Sequence, residues 1–430
     1  MNETRSATRS PWAWIPTLYL AEGLPYVLVM TVSVILYKRF GFSNTEIALY
    51  TSWLYLPWVV KPLWSPVVDI LGTRRRWIWA MQLVIGAALA GVALAIPAPG
   101  MFRWTLVFFW LMAFNSATHD IAADGFYLLA TSEREQAFFV GVRSTFYRLA
   151  TISAQGLLVV LAGTLEERTG SVRYAWTVAM GAMAALMLLF GLWHRFVLPR
   201  PVVDRPGEAG EFGKFMRAFF GTFGSFFAKP RIGVLIAFLL LYRFGEAQLV
   251  KMTAPFLLDA RDQGGLALTT AQLGVIYGVV GIASLSLGGI LGGWVVARHG
   301  LRAWLWPMLL AIHLPDAVFI YLAYAQPAHL LVVQSCVAVE QFGYGFGFTA
   351  YLMYMIRIAR GEHQTAHYAI CTGFMALGMM VPGMWSGWLQ DSIGYRHFFS
   401  WVILATVPSF LVAMWIPLEA DFGRKTSAGA

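Results

Sequence analysis

Long runs of apolar residues, separated by short polar connections, dominate this chain of 430 residues. A bilayer core about 30 Å thick requires about 20 apolar residues per helix, and the sequence supplies about twelve such runs. They lie near 12–37, 45–68, 77–97, 104–130, 138–163, 174–198, 231–258, 271–297, 303–325, 329–356, 365–389 and 397–416. The runs are too long and too continuous for the alternating strands of a barrel. They predict an all-α integral membrane protein with about twelve transmembrane helices.

Composition and charge agree with a membrane-embedded bundle. Hydrophobic residues make up 58% of the chain and charged residues 12%, against about 25% in soluble domains. With both termini inside, 19 of the 31 Lys and Arg fall on the inner side and 7 on the opposite side. This asymmetry predicts cytoplasmic termini and explains the net charge of +9 without a nucleic-acid partner. We expect the first run to be retained rather than cleaved as a signal peptide.

The longest polar interval follows the sixth run and divides the chain near its midpoint. It predicts a first six-helix half at 1–198, a cytoplasmic linker with an interfacial helix at 199–230, and a second half at 231–430. The strings SNTE (Ser43 to Glu46) and TTAQ (Thr269 to Gln272) are capping boxes that open the second and eighth runs. The matching positions of these capping boxes in the two halves indicate two six-helix repeats, which are typical of secondary transporters.

The connection after the second run reads SPVVDILGTRRR and resembles the signature loop of the major facilitator superfamily. The resemblance implies that Asp69, Gly72, Arg74 and Arg75 act in gating, through charge pairs and helix-terminal dipoles. The corresponding loop of the second half carries Ala297 at the acidic position. The alternative interpretation is a solvated basic loop that only obeys membrane topology.

Ionisable residues inside the apolar runs point to a transport cavity. A charge at the bilayer centre costs about 2.5–3.5 kcal/mol even on lenient scales, so it is expected to face water or an opposite charge. Such residues fall on runs 1, 4, 7 and 10, which line the central cavity in the fold that the signature loop implies: Glu22, Asp120, Asp124, Arg243, Glu246, Lys251 and Glu340. For any single residue, a buried ion pair that fixes helix packing is an equal alternative.

These positions divide into two predicted roles. We expect Asp124, Glu246, Glu22 and Glu340 to couple proton movement to transport, with Asp124 and Glu246 favoured. The predicted substrate-binding residues are Tyr19, Tyr26, Asp120, Arg148, Gln155, Arg243, Lys251 and Tyr344. The i,i+3 spacing of Arg243 and Glu246 predicts an ion pair. Lys61 and Asp316 are further candidates for pairing between helices.

Several strings resemble AmpG-type muropeptide permeases in order and position. They are EGLPYVL, KPLWSPVVD, HDIAADGF, FYRLA, LLYRFGEA and VEQFGYGFG, and the resemblance covers essentially the whole chain. It implies a monomeric inner-membrane carrier that uses the proton gradient to import anhydro-muropeptides, with no cofactor. Related branches carry siderophores or acetyl-CoA. Arg243 and Glu246 stand where the family commonly has lysine and aspartate, and Gln341 where asparagine is usual, which leaves the substrate open.

Other classes of function find weaker support in the sequence. The pair His363 and His367 has i,i+4 spacing but no adjacent acid that would complete a metalloprotease motif, so we expect no metal site. Cys336 and Cys371 fall within apolar runs and are interpreted as packing residues. No nucleophile with an orienting base indicates an enzyme, and repeated six-helix halves favour a carrier over an open channel.

Overall fold

The computed structural model describes residues 9–205, 212–419 and 422–424, and the regular structure within them is helical. Span 1 covers Pro11–Arg39, span 2 covers Asn44–Trp53 and Leu56–Ile70, and span 3 covers Arg74–Ala95. Span 4 covers Met101–Ala130. Span 5 consists of Glu133–Thr151, Ile152–Leu157 and Leu158–Thr169, and span 6 covers Val172–Val197. After the linker helix Phe212–Phe227 follow span 7 (Ile232–Leu241 and Phe244–Leu258), span 8 (Thr270–His299), span 9 (Leu301–Ala325) and span 10 (Leu330–Ala359). Spans 11 and 12 share Gln364–Ala405 and are divided at Gly394, after which Val407–Ala413 continues span 12.

The predicted runs and the observed spans correspond in order. Eight stretches are long and apolar enough to cross a membrane by length and composition alone. Spans 11 and 12 form one of these stretches, because the chain passes from one to the other through Gly394 without a loop. Its φ of 73° lies in the left-handed region, which favours glycine. Spans 2, 4 and 10, which hold Lys61, Asp120 and Glu340, fall outside the eight.

Both predicted capping boxes are confirmed. Ser43 accepts a hydrogen bond from the backbone of Glu46, whose side chain returns to the Ser43 backbone, and Thr269 and Gln272 do the same at the start of span 8. A third box at Ser132 opens span 5. These reciprocal bonds satisfy backbone N–H groups that the first turn of a helix leaves without partners.

The described chain packs as two compact units. Unit 1 comprises Met1–Ser33 and Val60–Phe220, and unit 2 comprises Val34–Val59 and Gly221–Ala430. The end of span 1 and the first half of span 2 therefore pack with the second part of the chain, where Asn44–Trp53 lies against span 11. The predicted boundaries at the linker stay a prediction.

Each unit has its own apolar core. In unit 1, Trp14 and Leu18 of span 1 pack with Phe126 of span 4. In unit 2, Phe238, Tyr242 and Tyr351 belong to a larger cluster that also holds the free thiol of Cys371. Large apolar side chains such as Leu94, Leu331 and Phe196 are exposed, as lipid-facing positions of a membrane bundle are.

The backbone of span 10 lies in close contact with the backbones of spans 8 and 9 in unit 2. A Cβ added at Gly345 would lie 1.9 Å from the carbonyl oxygen of Leu285 in span 8, and one at Gly343 would lie 2.2 Å from that of Ala311 in span 9. Any side chain at these two positions would push the helices apart. The string FGYGFG therefore fixes Glu340, one turn earlier, at a close three-helix contact.

Several spans depart from regular α-helix. Spans 1, 5 and 8 contain π-helical turns at Leu28–Val32, Ile152–Leu157 and Gly274–Gly281. Span 7 breaks at Tyr242 and Arg243, and span 9 narrows to a 3-10 turn at Leu314–Asp316. Irregular backbone inside a membrane is tolerated where protein groups satisfy the freed carbonyls, and it commonly marks functional positions.

Candidate functional site

A first group of carboxylates lies in unit 1. Glu22 of span 1 and Asp120 and Asp124 of span 4 bring carboxylate oxygens within 4.8 Å of one another. The predicted cavity spans 1 and 4 thus do place their acids together. We call Glu22, Asp120 and Asp124 the first carboxylate cluster.

Two cations compensate the first carboxylate cluster. Lys61 of span 2 forms an ion pair with Asp120, which confirms Lys61 as a residue that pairs between helices. Arg143 of span 5 forms an ion pair with Asp124. Charge-assisted hydrogen bonds of this kind are roughly twice as strong as neutral ones, so they fix both carboxylates.

Two tyrosines enclose Arg143. Its guanidinium carbon lies 4.3 Å from the ring centroid of Tyr19 and 4.6 Å from that of Tyr127. The Tyr19 hydroxyl also donates to Asp124 at 3.2 Å. The result is an aromatic clamp, made of Tyr19, Tyr127, Asp124 and Arg143, which holds one cation and one anion side by side.

Sequence reasoning missed Arg143 as a site residue. It named Arg148, which is partly buried, together with the buried Gln155 of the π-helical turn and the partly buried Tyr26. The rule that charged residues inside spans are functional applies equally to Arg143.

A second group of carboxylates lies in unit 2. Glu246 of span 7, Asp316 of span 9 and Glu340 of span 10 also bring carboxylate oxygens within 4.8 Å of one another, and all three residues are buried. Glu340 accepts hydrogen bonds from the Gln341 amide at 3.0 and 3.2 Å. We call Glu246, Asp316 and Glu340 the second carboxylate cluster.

Arg243 and Glu246 do not form the predicted ion pair. The oxygens of Glu246 have no hydrogen-bond partner, while Arg243 donates to the Tyr344 hydroxyl. The Arg243 guanidinium carbon lies 5.1 Å from the Tyr344 ring centroid and 4.8 Å from that of Phe348. The i,i+3 argument assumed a continuous helix, but Arg243 has φ −114° and ψ 22° and lies in the break.

Lys251 of span 7 is buried and faces the segment 34–59 of the same unit. Its Nζ donates to Thr51 Oγ1 at 2.9 Å and lies 5.5 Å from the Tyr55 ring centroid. Among the residues that the structure describes, no acid forms an ion pair with it. Unit 2 thus offers a buried cation at Lys251 and, at Arg243, a second cation beside the Tyr344 hydroxyl.

The loop between spans 2 and 3 shows a partner that the sequence did not reveal. Asp204 accepts from the backbone N–H groups of Arg74 and Arg75, at 2.8 and 3.1 Å, and so caps span 3. The side chain of Arg75 donates to the carbonyl of Leu198 at 3.1 Å. The side chain of Asp69 lies outside the described residues, so its gating role, like that of Gly72, stays a prediction.

An ion pair ties the C-terminal segment to the end of span 10. Arg357 donates to both oxygens of Glu419, at 2.8 and 2.6 Å. These hydrogen bonds hold the pKa of Glu419 below its usual range. The Glu419 side chain is largely exposed, so the pair contributes little to stability.

The fold and the two clusters define a polytopic helical membrane protein with ionisable groups held inside its spans. A sequence profile of the Major Facilitator Superfamily matches residues 17–383. The chain belongs to this superfamily.

Comparisons with individual proteins agree. The chain is 23% identical to the anhydromuropeptide permease of Escherichia coli K12 over 419 residues, which cover 95% of this chain and 80% of the permease. It is 21% identical to the putative transporter AmpG 4 of Rickettsia conorii over 416 residues, 94% of this chain and 96% of that protein. The predicted resemblance to AmpG-type permeases is confirmed.

Solved structures show the same fold. The nucleoside transporter NupG superposes with a TM-score of 0.69 at 14% identity, over 94% of this chain and 99% of that one. A D-xylose-proton symporter also gives 0.69, at 12% identity, over 96% and 98% of the two chains. The predicted all-α major facilitator fold is confirmed, and the protein is a multi-pass membrane protein that resembles carriers of small molecules.

Proposed function

We propose that this protein is a proton-coupled importer of anhydro-muropeptides or closely related saccharides, working by alternating access in a bacterial inner membrane with both termini cytoplasmic. The permease relative supports this substrate class, and sugar and nucleoside carriers share the fold. The observation that carries the proposal is the aromatic clamp of unit 1. It holds an arginine ready for an anionic group, beside tyrosines whose faces suit sugar rings.

The clamp provides a route from proton binding to substrate binding. When Asp124 is ionised, it neutralises Arg143. A proton on Asp124 removes that partner, and Arg143 then pairs with a carboxylate of the substrate peptide. Proton and substrate thus bind together without leaving a buried charge unpaired.

Asp124 lies between basic and acidic neighbours. It contacts Arg143 and the Tyr19 hydroxyl, and it shares the first carboxylate cluster with Glu22 and Asp120. Glu22 is buried and belongs to the same cluster, so we propose it as the second coupling residue. The predicted coupling roles of Glu246 and Glu340 stay predictions.

Uptake into proteoliposomes tests this proposal. Asp124→Asn is expected to abolish accumulation of a radiolabelled anhydro-muropeptide driven by a pH gradient, while exchange without a gradient persists. The matched control is Asp262→Asn, which removes an exposed acid from the connection between spans 7 and 8 and is expected to accumulate normally. Unchanged accumulation in Asp124→Asn would exclude its coupling role.

The substrate class needs a separate experiment. A thermal-stabilisation screen of the purified protein with anhydro-muropeptides, siderophores and small saccharides is expected to select the muropeptides. If only a siderophore stabilises the protein, the proposed substrate changes from a muropeptide to a siderophore. The proposed carrier mechanism is then unaffected. Counterflow of the selected solute then separates a carrier from a channel, because only a carrier concentrates labelled solute against an unlabelled pool.

Gating completes the proposed cycle. We place one gate at the loop between spans 2 and 3, where Asp204 already caps span 3. If Asp69 helps to hold this gate, Asp69→Asn lowers transport more than equilibrium binding. Equal loss of both would instead indicate a general folding role.

A further inference from the structure

Two broken helices meet beside the second carboxylate cluster. The break in span 7 frees backbone carbonyls, and side chains from other spans bind them: Tyr351 donates to Leu239 at 2.6 Å and Ser409 to Leu241 at 2.8 Å. At the break itself, Nε2 of His313 lies 3.1 Å from the carbonyl oxygen of Tyr242. His313 ends the first helix of span 9, so this hydrogen bond joins one break to the other.

That hydrogen bond fixes the tautomer of His313. A carbonyl oxygen only accepts, so Nε2 must carry the proton, and Nδ1 of the neutral ring presents a lone pair. Nδ1 faces Oδ2 of Asp316 at a distance of 3.9 Å, and both side chains are at least 98% buried. Neither Nδ1 nor either Asp316 oxygen has a hydrogen-bond partner. Two acceptors therefore face each other with no donor between them.

The other two members of the cluster add to this imbalance. Both Glu246 oxygens lack a hydrogen-bond partner. Glu340 accepts its hydrogen bonds from the neutral Gln341 amide. Among the described residues no Lys or Arg forms an ion pair with the three carboxylates. The nearest arginine, Arg243, is turned to Tyr344. Buried carboxylates without a counter-charge are costly, so protons, a bound cation or both must neutralise this cluster.

We propose that Glu246, Asp316 and Glu340 bind a sodium ion, with His313 as a neighbouring acceptor that faces Asp316. Carboxylate oxygens are the ligands that hard cations prefer. Oxygens about 2.3–2.6 Å from a Ca²⁺-sized ion, which is close in radius to Na⁺, lie no more than about 5 Å apart. The 4.8 Å limit on the ligand oxygens of this cluster fits that size.

Ligand number argues against a divalent ion at this site, and protons on the remaining acids balance the charge that one Na⁺ leaves. Ca²⁺ takes about 6–8 oxygen ligands and Mg²⁺ keeps several waters, whereas this cluster is buried and offers three carboxylates. Broken helices favour the same ion. Helix C-terminal ends, such as those at Leu241 and His313, carry partial negative charge, and such ends bind Na⁺ or H⁺ in other membrane carriers.

Sodium binding to the purified full-length protein tests the proposal, and it requires neither a substrate nor transport. The midpoint of thermal unfolding in detergent is measured against NaCl, with choline chloride holding ionic strength constant and KCl in a parallel series. Na⁺ is expected to raise the midpoint saturably, K⁺ and choline to leave it unchanged, and ²²Na⁺ to bind with the same half-saturation.

Variants locate the site. Asp316→Asn and Glu340→Gln are expected to weaken Na⁺ binding about 10-fold or more, and Glu340→Asp, which keeps the charge but shortens the reach, to weaken it less. The matched control is Glu166→Gln, a buried acid of unit 1 that accepts from the Trp176 indole at 2.7 Å and is expected to bind Na⁺ normally.

Two outcomes would overturn the sodium site. If wild-type protein shows no Na⁺-specific stabilisation and no saturable ²²Na⁺ binding, protons alone neutralise the cluster. If Na⁺ binds but Glu340→Asp and Glu340→Gln bind it like wild type, the ion lies elsewhere. Neither outcome affects the importer proposal, because uptake by Asp124→Asn, the substrate screen and counterflow test it separately.

Discussion

The two carboxylate clusters each bring three acids within 4.8 Å of one another, yet their surroundings differ. In unit 1, Lys61 and Arg143 pair with two of the three acids, and the Asp124 side chain is 48% exposed. In unit 2, the acids are buried and Arg243 turns to an aromatic partner. The first cluster carries its own counter-charges, so it can exchange one for a ligand. The second has no such counter-charge among the described residues, so protons or a bound cation must neutralise it.

The largest expected effect comes from removing a counter-charge in unit 1. Lys61→Gln leaves Asp120 partly buried and unpaired, at a cost of about 1–3 kcal/mol. The double variant Lys61→Gln with Asp120→Asn should recover most of that loss. The midpoint of thermal unfolding in detergent measures both. A double variant as unstable as the single one would show that Lys61 contributes packing rather than charge.

The opposite sign is expected in unit 2. Asp316→Asn removes one of three like charges and leaves no cation without a partner, so in sodium-free buffer it should stabilise the protein by an amount on the order of 1 kcal/mol. The same thermal measurement applies. Destabilisation similar to that of Lys61→Gln would erase the distinction between the clusters.

A smaller effect tests the aromatic clamp. Arg143→Lys keeps the charge beside Asp124 but loses much of the planar stacking on Tyr19 and Tyr127, worth about 0.5–1 kcal/mol. We expect the KM of the transported solute to rise about two- to fivefold, with thermal stability little changed. A fall in stability without a change in KM would make the clamp a packing element.

The smallest expected effect concerns the exposed pair of Arg357 and Glu419, which lies outside both clusters and serves as a reference for them. Because Arg357 lowers the pKa of Glu419, the pair stabilises the fold above the pKa of the unfolded chain and loses that contribution as pH falls through the lowered value. Glu419→Gln is expected to cost less than about 0.5 kcal/mol at neutral pH, and nothing in strong acid. Unfolding midpoints from neutral to acid pH check this. If Glu419→Gln destabilises the protein at neutral pH as much as Lys61→Gln does, burial does not explain why a charge in the clusters contributes more to stability than a charge on the surface.

Local signals predicted the spans well. Apolar runs located them, and capping boxes at Ser43 and Thr269 marked two of their starts, because both depend on residues close in sequence. Charges inside the runs also predicted which spans hold acids. Asp316 was recognised only as a pairing candidate, because its approach to Glu246 and Glu340 depends on the packing of three separate spans.

Interrupted helices explain where sequence reasoning failed. The expected pair of Arg243 and Glu246 assumed ideal helical spacing across Tyr242, where span 7 breaks. Gly245, just beyond the break, packs so closely on span 12 that an added Cβ would lie 2.9 Å from the carbonyl oxygen of Val402. Tertiary packing, which no local pattern encodes, determines this break.

The early segment 34–59 has a consequence for biosynthesis. Lys38 forms an ion pair with Asp259, and Asn44 donates to the Tyr395 hydroxyl at 2.9 Å. Translation proceeds at about 5–20 residues per second, so the ribosome needs on the order of 20–70 s to reach Tyr395 after making Asn44. During that time the side chains of Lys38 and Asn44, which lie next to the turn between spans 1 and 2, are without their final partners. The contacts that hold this hairpin are therefore complete only after the last two helices have been made.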